Sequence, residues 1–144
     1  MHFLILTTAL AGALHFIWEN IQCPLLYTHG SYDGSIWGML QATFGDVVIT
    51  WLLYGWAAIV AGRWRWMVGP SALRGWLSLE LGAFAVGFAI EWHALATGRW
   101  SYLDTMPTLT GLEVGLVPIL QLMMLTPVSV GLVELWLRRA GSGR

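Results

Sequence analysis

Four long apolar stretches alternate along the chain with short segments that hold turn-forming residues and most of the charge. The apolar stretches cover residues 3–20, 36–62, 72–97 and 112–138. A helix needs roughly 20 mostly apolar residues to cross about 30 Å of hydrocarbon, so each stretch is long enough to span a bilayer. Glycine, proline and aspartate residues fall in the three connections, where turns are expected. The pattern predicts an all-α fold, an integral membrane four-helix bundle formed by a single transmembrane domain over residues 1–144.

The composition agrees with a multi-pass membrane protein. Hydrophobic residues make up 57% of the 144 residues and charged residues only 10%, which is too apolar for a soluble domain of this size. The formal net charge of -1 argues against nucleic-acid binding, which usually needs a basic face. No basic residue precedes the first apolar stretch, as export signals require, so we expect this stretch to be retained as a helix.

The basic residues predict how the chain is threaded through the membrane. All seven are arginines, and arginines collect in short cytoplasmic loops. Six of them flank the second connection or follow the last apolar stretch: Arg63, Arg65, Arg74, Arg138, Arg139 and Arg144. We therefore expect both termini to be cytoplasmic in a bacterial inner (cell) membrane, with the first and third connections outside. Arg99 is the exception, which suggests a specific carboxylate partner such as Glu113 or Asp104.

With this threading, the polar side chains within the apolar stretches fall in the outer half of the bundle. They are His15, Glu19, Asp46, Glu91, His93 and Gln121. A charged group in hydrocarbon costs about 2.5–3.5 kcal/mol on the mildest scale, so such residues usually face the bundle interior and act there. His15, Glu19 and Gln22 share one helix face by their spacing. Gly45, directly before Asp46, predicts that a neighbouring helix approaches closely and shields the acid.

Two further spacings refine the expected site. Glu91 and His93 are two residues apart and point about 200° away from each other on a helix, so we expect Glu91 rather than His93 at the site. Pro118 lies inside the fourth stretch, three residues before Gln121, and predicts a kink whose freed carbonyl group lines the same cavity. A structural interpretation stays open for these groups, because polar residues also hold membrane helices together.

The string from Glu91 to Pro118 carries a family resemblance. It combines an acid at the end of one helix, the turn Gly98-Arg99-Trp100-Ser101-Tyr102 and a proline near the start of the next helix. This part of the chain resembles the membrane-embedded lycopene cyclases and the carotenoid hydratases, small all-helical proteins that act on lipid-dissolved polyenes. The cyclase pattern has a Pro-x-Glu-Glu pair, whereas here Gln121 ends the string after Pro118, so the acid pair is absent. The amino-terminal string from His15 to Tyr27 is similar instead to an uncharacterised bacterial multi-pass membrane family.

The first functional hypothesis is a cofactor-free enzyme of the lyase, isomerase or hydratase type that acts on an apolar isoprenoid or lipid-like substrate. A carboxylic acid in a low dielectric can protonate a double bond, and aromatic rings can stabilise the resulting cation. We predict Glu91 or Glu19 as the acid, Asp46 as the base and His15 as a relay. The predicted substrate-binding residues are Arg99, Trp100, Tyr102, Gln121 and Trp18.

Two other hypotheses remain. A metal or proton site would use nitrogen and oxygen ligands suited to zinc or iron, drawn from His15, Glu19, Asp46, Glu91 and His93. No paired-histidine motif supports it, so we predict neither a metal nor a cofactor. A non-catalytic assembly subunit would use the same polar groups only to hold helices together. The expected partners are membrane lipid, an apolar small molecule and a second copy of the chain, with no nucleic acid.

Overall fold

The computed structural model of the protein describes residues 2–28 and 35–142, and this part of the chain forms a four-helix bundle. The helices are α1 (His2–Leu26), α2 (Ile36–Ala61), α3 (Ala72–Ala96) and α4 (Leu116–Ser142). Each is long and apolar enough to span a membrane. Both α1 and α3 pack against α2 and α4, so consecutive helices alternate in direction around one closed ring. The predicted all-α membrane bundle is confirmed.

The two ends of the bundle differ in character. At one end, where α1 and α3 finish, two short strands, β1 (Tyr27–Thr28) and β2 (Ser101–Tyr102), pair antiparallel with Tyr27 opposite Tyr102. We call this the strand end. The opposite end, which we call the arginine end, holds the connection between α2 and α3 and the end of α4. It carries Arg63, Arg65, Arg74, Arg138 and Arg139. Arg144 lies outside the described residues.

The first helix is longer than the pattern predicts. It continues from the expected end at residue 20 to Leu26 and passes through Pro24. A proline removes one helical hydrogen bond, and here that loss falls in the last turn of the helix. The extension makes Gln22 and Cys23 helical and buried, which brings both side chains into the bundle interior.

The fourth helix begins later than predicted. The expected start at residue 112 is wrong because Gly111 and Glu113 adopt positive φ values of 82° and 54°, which no α-helix accommodates. The Leu109 amide donates to the Val114 carbonyl oxygen at 2.8 Å and closes this turn before the helix starts at Leu116.

The later start also overturns the role expected for Pro118. This proline is the third residue of α4, where the backbone N–H of any residue would have no partner within the helix. It therefore frees no carbonyl group and causes no kink, and the proline in the interior of α4 is Pro127.

Glycines decide where the helices come close. A Cβ atom on Gly82 would lie 2.9 Å from the Leu53 side chain, so α3 packs tightly on α2 in the half of the bundle nearer the arginine end. A Cβ atom on Gly87 would lie 3.2 Å from the Ile119 backbone, which brings α3 against α4. Small residues allow such approaches between membrane helices. The tight contacts leave free volume elsewhere, at the strand end.

Candidate functional site

A cavity of about 220 Å³ lies inside the bundle towards the strand end. All four helices and the loop after α3 contribute to its walls. Its charged and amide-bearing lining residues are Glu19, Gln22, Gln41, Asp46, Glu91, Arg99 and Gln121. Gln41 on α2 and Ile90 on α3 are lining residues that are also exposed on the outside of the bundle. The cavity therefore opens between α2 and α3, on the side that lipid covers in a membrane.

Gly45 explains why space exists here. Apart from the adjoining backbone of α2 and the two chain neighbours, no described atom lies within 4 Å of a Cβ atom built on Gly45, in contrast to Gly82 further along the bundle. Helices α2 and α3 thus pack tightly at Gly82 and enclose part of the cavity nearer the strand end. The prediction that Gly45 allows a neighbouring helix to approach is wrong, because this glycine lines the cavity and leaves Asp46 partly accessible from it.

One wall of the cavity is a hydrogen-bond network, and Trp18 fixes the orientation of the amide groups in it. The indole Nε1–H can only donate, and it donates to Gln22 Oε1 at 2.9 Å. The Gln22 amide nitrogen then donates to Glu19 Oε1 at 3.0 Å and to Gln121 Oε1 at 2.6 Å. Because its oxygen faces Gln22, Gln121 turns its amide nitrogen towards the remaining groups of the wall.

Gln121 connects these groups to His15 and Asp46. Its Nε2 atom lies 3.1 Å from His15 Nδ1, 2.9 Å from Glu19 Oε1 and 3.0 Å from Asp46 Oδ2. An amide nitrogen carries only two hydrogens, so it cannot satisfy three acceptors. His15 Nδ1 also lies 3.2 Å from Asp46 Oδ2. A proton on Nδ1, donated to Asp46, leaves the two amide hydrogens of Gln121 for Glu19 and Asp46, and we assign this tautomer to His15 on that count.

Glu91 forms the opposite wall and accepts from three donors. Tyr102 Oη lies 2.5 Å from Glu91 Oε2, Trp100 Nε1 lies 3.2 Å from the same oxygen, and Tyr27 Oη lies 3.4 Å from Oε1. The Tyr102 oxygen itself accepts from the Gly115 N–H at 2.9 Å, so its own proton is directed at Glu91. Glu91 therefore joins the end of α3 to both strands and to the start of α4.

Both tyrosines keep their protons in this arrangement. Burial, together with the neighbouring Glu91 carboxylate, raises the pKa of Tyr27 and of Tyr102 above the ordinary value of 10.0. Their phenols are thus permanent hydrogen-bond donors at neutral pH, and Glu91 keeps its acceptor role.

No protein-family model, curated protein or solved structure matches this chain. The relation of the string from Glu91 to Pro118 to lycopene cyclases and carotenoid hydratases therefore stays a prediction, and the site is interpreted from its own geometry.

The structure places the predicted catalytic residues around one cavity, although at different depths. Glu19, Asp46 and Glu91 line it, whereas His15 is fully buried behind Asp46. Glu19 Oε2 also accepts from the Cys23 thiol at 3.3 Å. The catalytic roles themselves stay predictions.

The predicted substrate-binding residues divide in the same way. Gln121, Trp100 and Arg99 line the cavity, and the Arg99 guanidinium group lies 5.4 Å from the centre of the Trp100 ring. Trp18 and Tyr102 are not lining residues, and they donate hydrogen bonds to Gln22 and Glu91, which are. The carboxylate partner expected for Arg99 stays a prediction.

The residues expected as metal ligands do not form a metal site in this structure. Among the described residues, no group of three or more histidine, cysteine, aspartate or glutamate side chains is arranged to hold a metal ion. His93 is exposed on the outside of α3, away from the cavity that Glu91 lines. The proposed ligands His15, Glu19, Asp46, Glu91 and His93 are therefore not brought together as one centre.

Two residues of the site were not singled out from the sequence. Gln41 lies four residues before Gly45, so helical spacing alone places it on the same face. Tyr27 had no such signal, because its contact with Glu91 depends on the pairing of β1 with β2. Spacing within one helix therefore predicts which of its residues share a face. It does not predict contacts that depend on the pairing of two strands distant in sequence.

Proposed function

We propose that this protein carries out acid–base chemistry on an apolar isoprenoid or lipid-like substrate that enters the cavity from the bilayer. The observation that supports it is the cavity itself, which lies within membrane-spanning helices, opens between α2 and α3 and has carboxyl groups on two walls. Its volume of about 220 Å³ is smaller than the roughly 300–1,000 Å³ of pockets that enclose drug-sized ligands. It suits the reacting end of an elongated molecule whose remainder stays in lipid.

We assign the proton transfer to Asp46. This carboxyl group lines the cavity, retains 17% side-chain exposure and is paired with a fully buried His15 that can take up or return a proton. Glu91, expected as the acid, instead accepts from three donors, which suits a positioning residue. A pair of this kind supports isomerisation, hydration or elimination without a cofactor, because each needs a proton added to or removed from carbon.

Trp100 and Arg99 take a binding role in this proposal. The Trp100 ring lines the cavity, and an aromatic face stabilises positive charge that develops on a substrate. Arg99 is exposed at the strand end beside this ring, where it suits a polar or anionic group on the substrate.

The orientation in the membrane is part of the proposal. Arginines are concentrated at the arginine end, whereas Arg99 is the single one that the described residues carry at the strand end. The positive-inside rule then places the arginine end in the cytoplasm of a bacterial inner membrane and the site in the outer half of the bilayer.

The proposal is tested by a variant that fills the cavity and should therefore lose the bound apolar compound. Gly45→Leu places a side chain in the cavity, and Gly55→Leu is the matched control, because Gly55 lies on the same helix, faces open space and does not line the cavity. We expect mass spectrometry of protein purified in mild detergent to find an apolar compound in the wild type and in Gly55→Leu but not in Gly45→Leu. Identical compounds in all three proteins would contradict the proposal.

A second variant separates chemistry from binding. Asp46→Asn preserves the volume of the side chain and removes its acid–base capacity, so we expect the bound compound to remain while its converted product disappears. A variant that differs from the wild type only in stability would favour the assembly role, in which the polar groups merely hold the helices together.

A further inference from the structure

A column of fully buried hydroxyl groups continues from the network towards the arginine end. Its members, each 0% exposed, are Thr7 on α1, Thr50 on α2 and Thr126 on α4. Thr50 Oγ1 lies 3.4 Å from Thr126 Oγ1, which connects α2 to α4 across the bundle. Glu134, only 3% exposed, lies beyond the column at the arginine end, where Arg138 at 2.6 Å and Arg65 at 3.3 Å bind it.

Helical geometry places these groups at successive levels. At 1.5 Å per residue, Thr50 lies about 6 Å beyond Asp46 along α2. Thr126 lies about 7.5 Å beyond Gln121 along α4, and Thr7 lies about 12 Å beyond His15 along α1. The column therefore descends in steps of about 5 to 7.5 Å from the cavity wall into the other half of the bundle.

One atom of the column and one atom of the Asp46–His15 pair point to hydrogen bonds beyond those that the protein makes with itself. Thr7 Oγ1 and His15 Nε2 are buried and have no partner among the described residues. Buried polar groups are usually satisfied by protein or by ordered water. Since His15 Nδ1–H is engaged with Asp46, Nε2 is the side of the ring that remains for a second partner.

We propose that this column is a proton path that connects the Asp46–His15 pair to the arginine end. Hydroxyl groups and water both donate and accept, and chains of acids and histidines inside membranes commonly relay protons. A proton that arrives at His15 Nε2 forms the N–H bond there. The Nδ1–H bond then breaks as its proton passes to Asp46, and the ring returns to neutrality. One or two hydrogen-bonded water molecules can bridge polar groups that lie about 6 to 7.5 Å apart along the bundle.

The inference goes beyond the proposed function, because the path needs no substrate and moves protons through the empty protein. It is tested in proteoliposomes that contain a pH-sensitive dye, with a potassium gradient and an ionophore to impose a membrane potential. We expect the wild type to change the internal pH faster than protein-free vesicles. Thr126→Val, which removes a hydroxyl group without changing the shape of the side chain, should slow this flux about tenfold, whereas Thr126→Ser should keep it.

Thr43→Val is the matched control. Thr43 is also buried on α2, but its hydroxyl group donates to the Met39 carbonyl oxygen of its own helix, outside the column. We expect its flux to equal that of the wild type. Thr50→Val provides a second break in the column if Thr126→Val does not fold, because the Thr50 hydroxyl group is the partner of Thr126. A wild-type rate equal to that of empty vesicles would overturn the proposal, as would a folded Thr126→Val or Thr50→Val variant with wild-type flux, or an equal loss in Thr43→Val.

Discussion

Replacement of Gln121 by leucine should weaken the bundle. Gln121 is 2% exposed and its amide joins α4 to both α1 and α2. Leucine retains the approximate volume and removes the bonds to Gln22, Glu19 and Asp46. Interhelical hydrogen bonds in membrane proteins contribute about 0.6 kcal/mol on average and about 1.7 kcal/mol at most. Three lost bonds therefore predict a loss of about 2 kcal/mol, with an upper limit of about 5 kcal/mol.

The acceptors left behind explain why the loss should not be larger. Glu19 keeps the donors Gln22 and Cys23, and Asp46 keeps His15. No group of the network is left without a hydrogen-bond partner, so the full desolvation penalty of an isolated buried carboxylate does not apply.

The assay is reversible unfolding of the purified protein in mixed micelles, with the helical signal followed against the mole fraction of denaturing detergent. Gln41→Leu is the control, because Gln41 lines the same cavity from an exposed position on α2. We expect the stability of Gln41→Leu to match that of the wild type. A Gln121→Leu protein that unfolds at the wild-type midpoint would refute the hydrogen-bond network as a source of stability.

Three further predictions concern the strand end, the arginine end and the topology. Because the folded state holds the pKa of Tyr27 and Tyr102 above 10.0, the unfolded state releases these protons first as pH rises. Stability should therefore fall above about pH 10, and Tyr102→Phe should flatten that fall in unfolding midpoints measured across alkaline pH. Gly75→Ala should destabilise by about 1–3 kcal/mol in thermal melts, since its Cβ atom would lie 2.2 Å from the buried Trp66 ring, whereas Gly55→Ala should not. A fluorescent reporter fused to the carboxyl terminus should be active in the cytoplasm, and an exported phosphatase at that position should be inactive; the reverse result would invert the threading.

Much of the site was predictable wherever it depends on one helix. The spacing of His15, Glu19 and Gln22 places them on one face, and all three are buried. Since a helix fixes the relative direction of residues three or four apart, this stripe needed no knowledge of its neighbours. Gln121 was predicted at the same site because polar groups in an apolar helix are driven to the bundle interior.

The contacts of Glu91 were beyond local inference. Tyr27 and Glu91 are 64 residues apart and meet because a two-residue strand pair brings the loop after α1 against the loop after α3. The late start of α4 had a similar origin, since the turn that ends at Val114 uses backbone hydrogen bonds that a longer helix would have needed. Both features depend on which groups, far apart in the sequence, lie close enough in the folded protein to form hydrogen bonds.

The sequence by itself determined that the chain forms four membrane-spanning helices and which residues of α1 face inward, because length, hydropathy and helical periodicity are local properties. Only the tertiary structure decided what the glycines do. Gly82 and Gly45 are chemically identical, yet one admits a packed neighbour and the other opens a cavity beside Asp46. The difference arises from which neighbouring side chains reach each glycine, and that depends on how the helices pack as a whole.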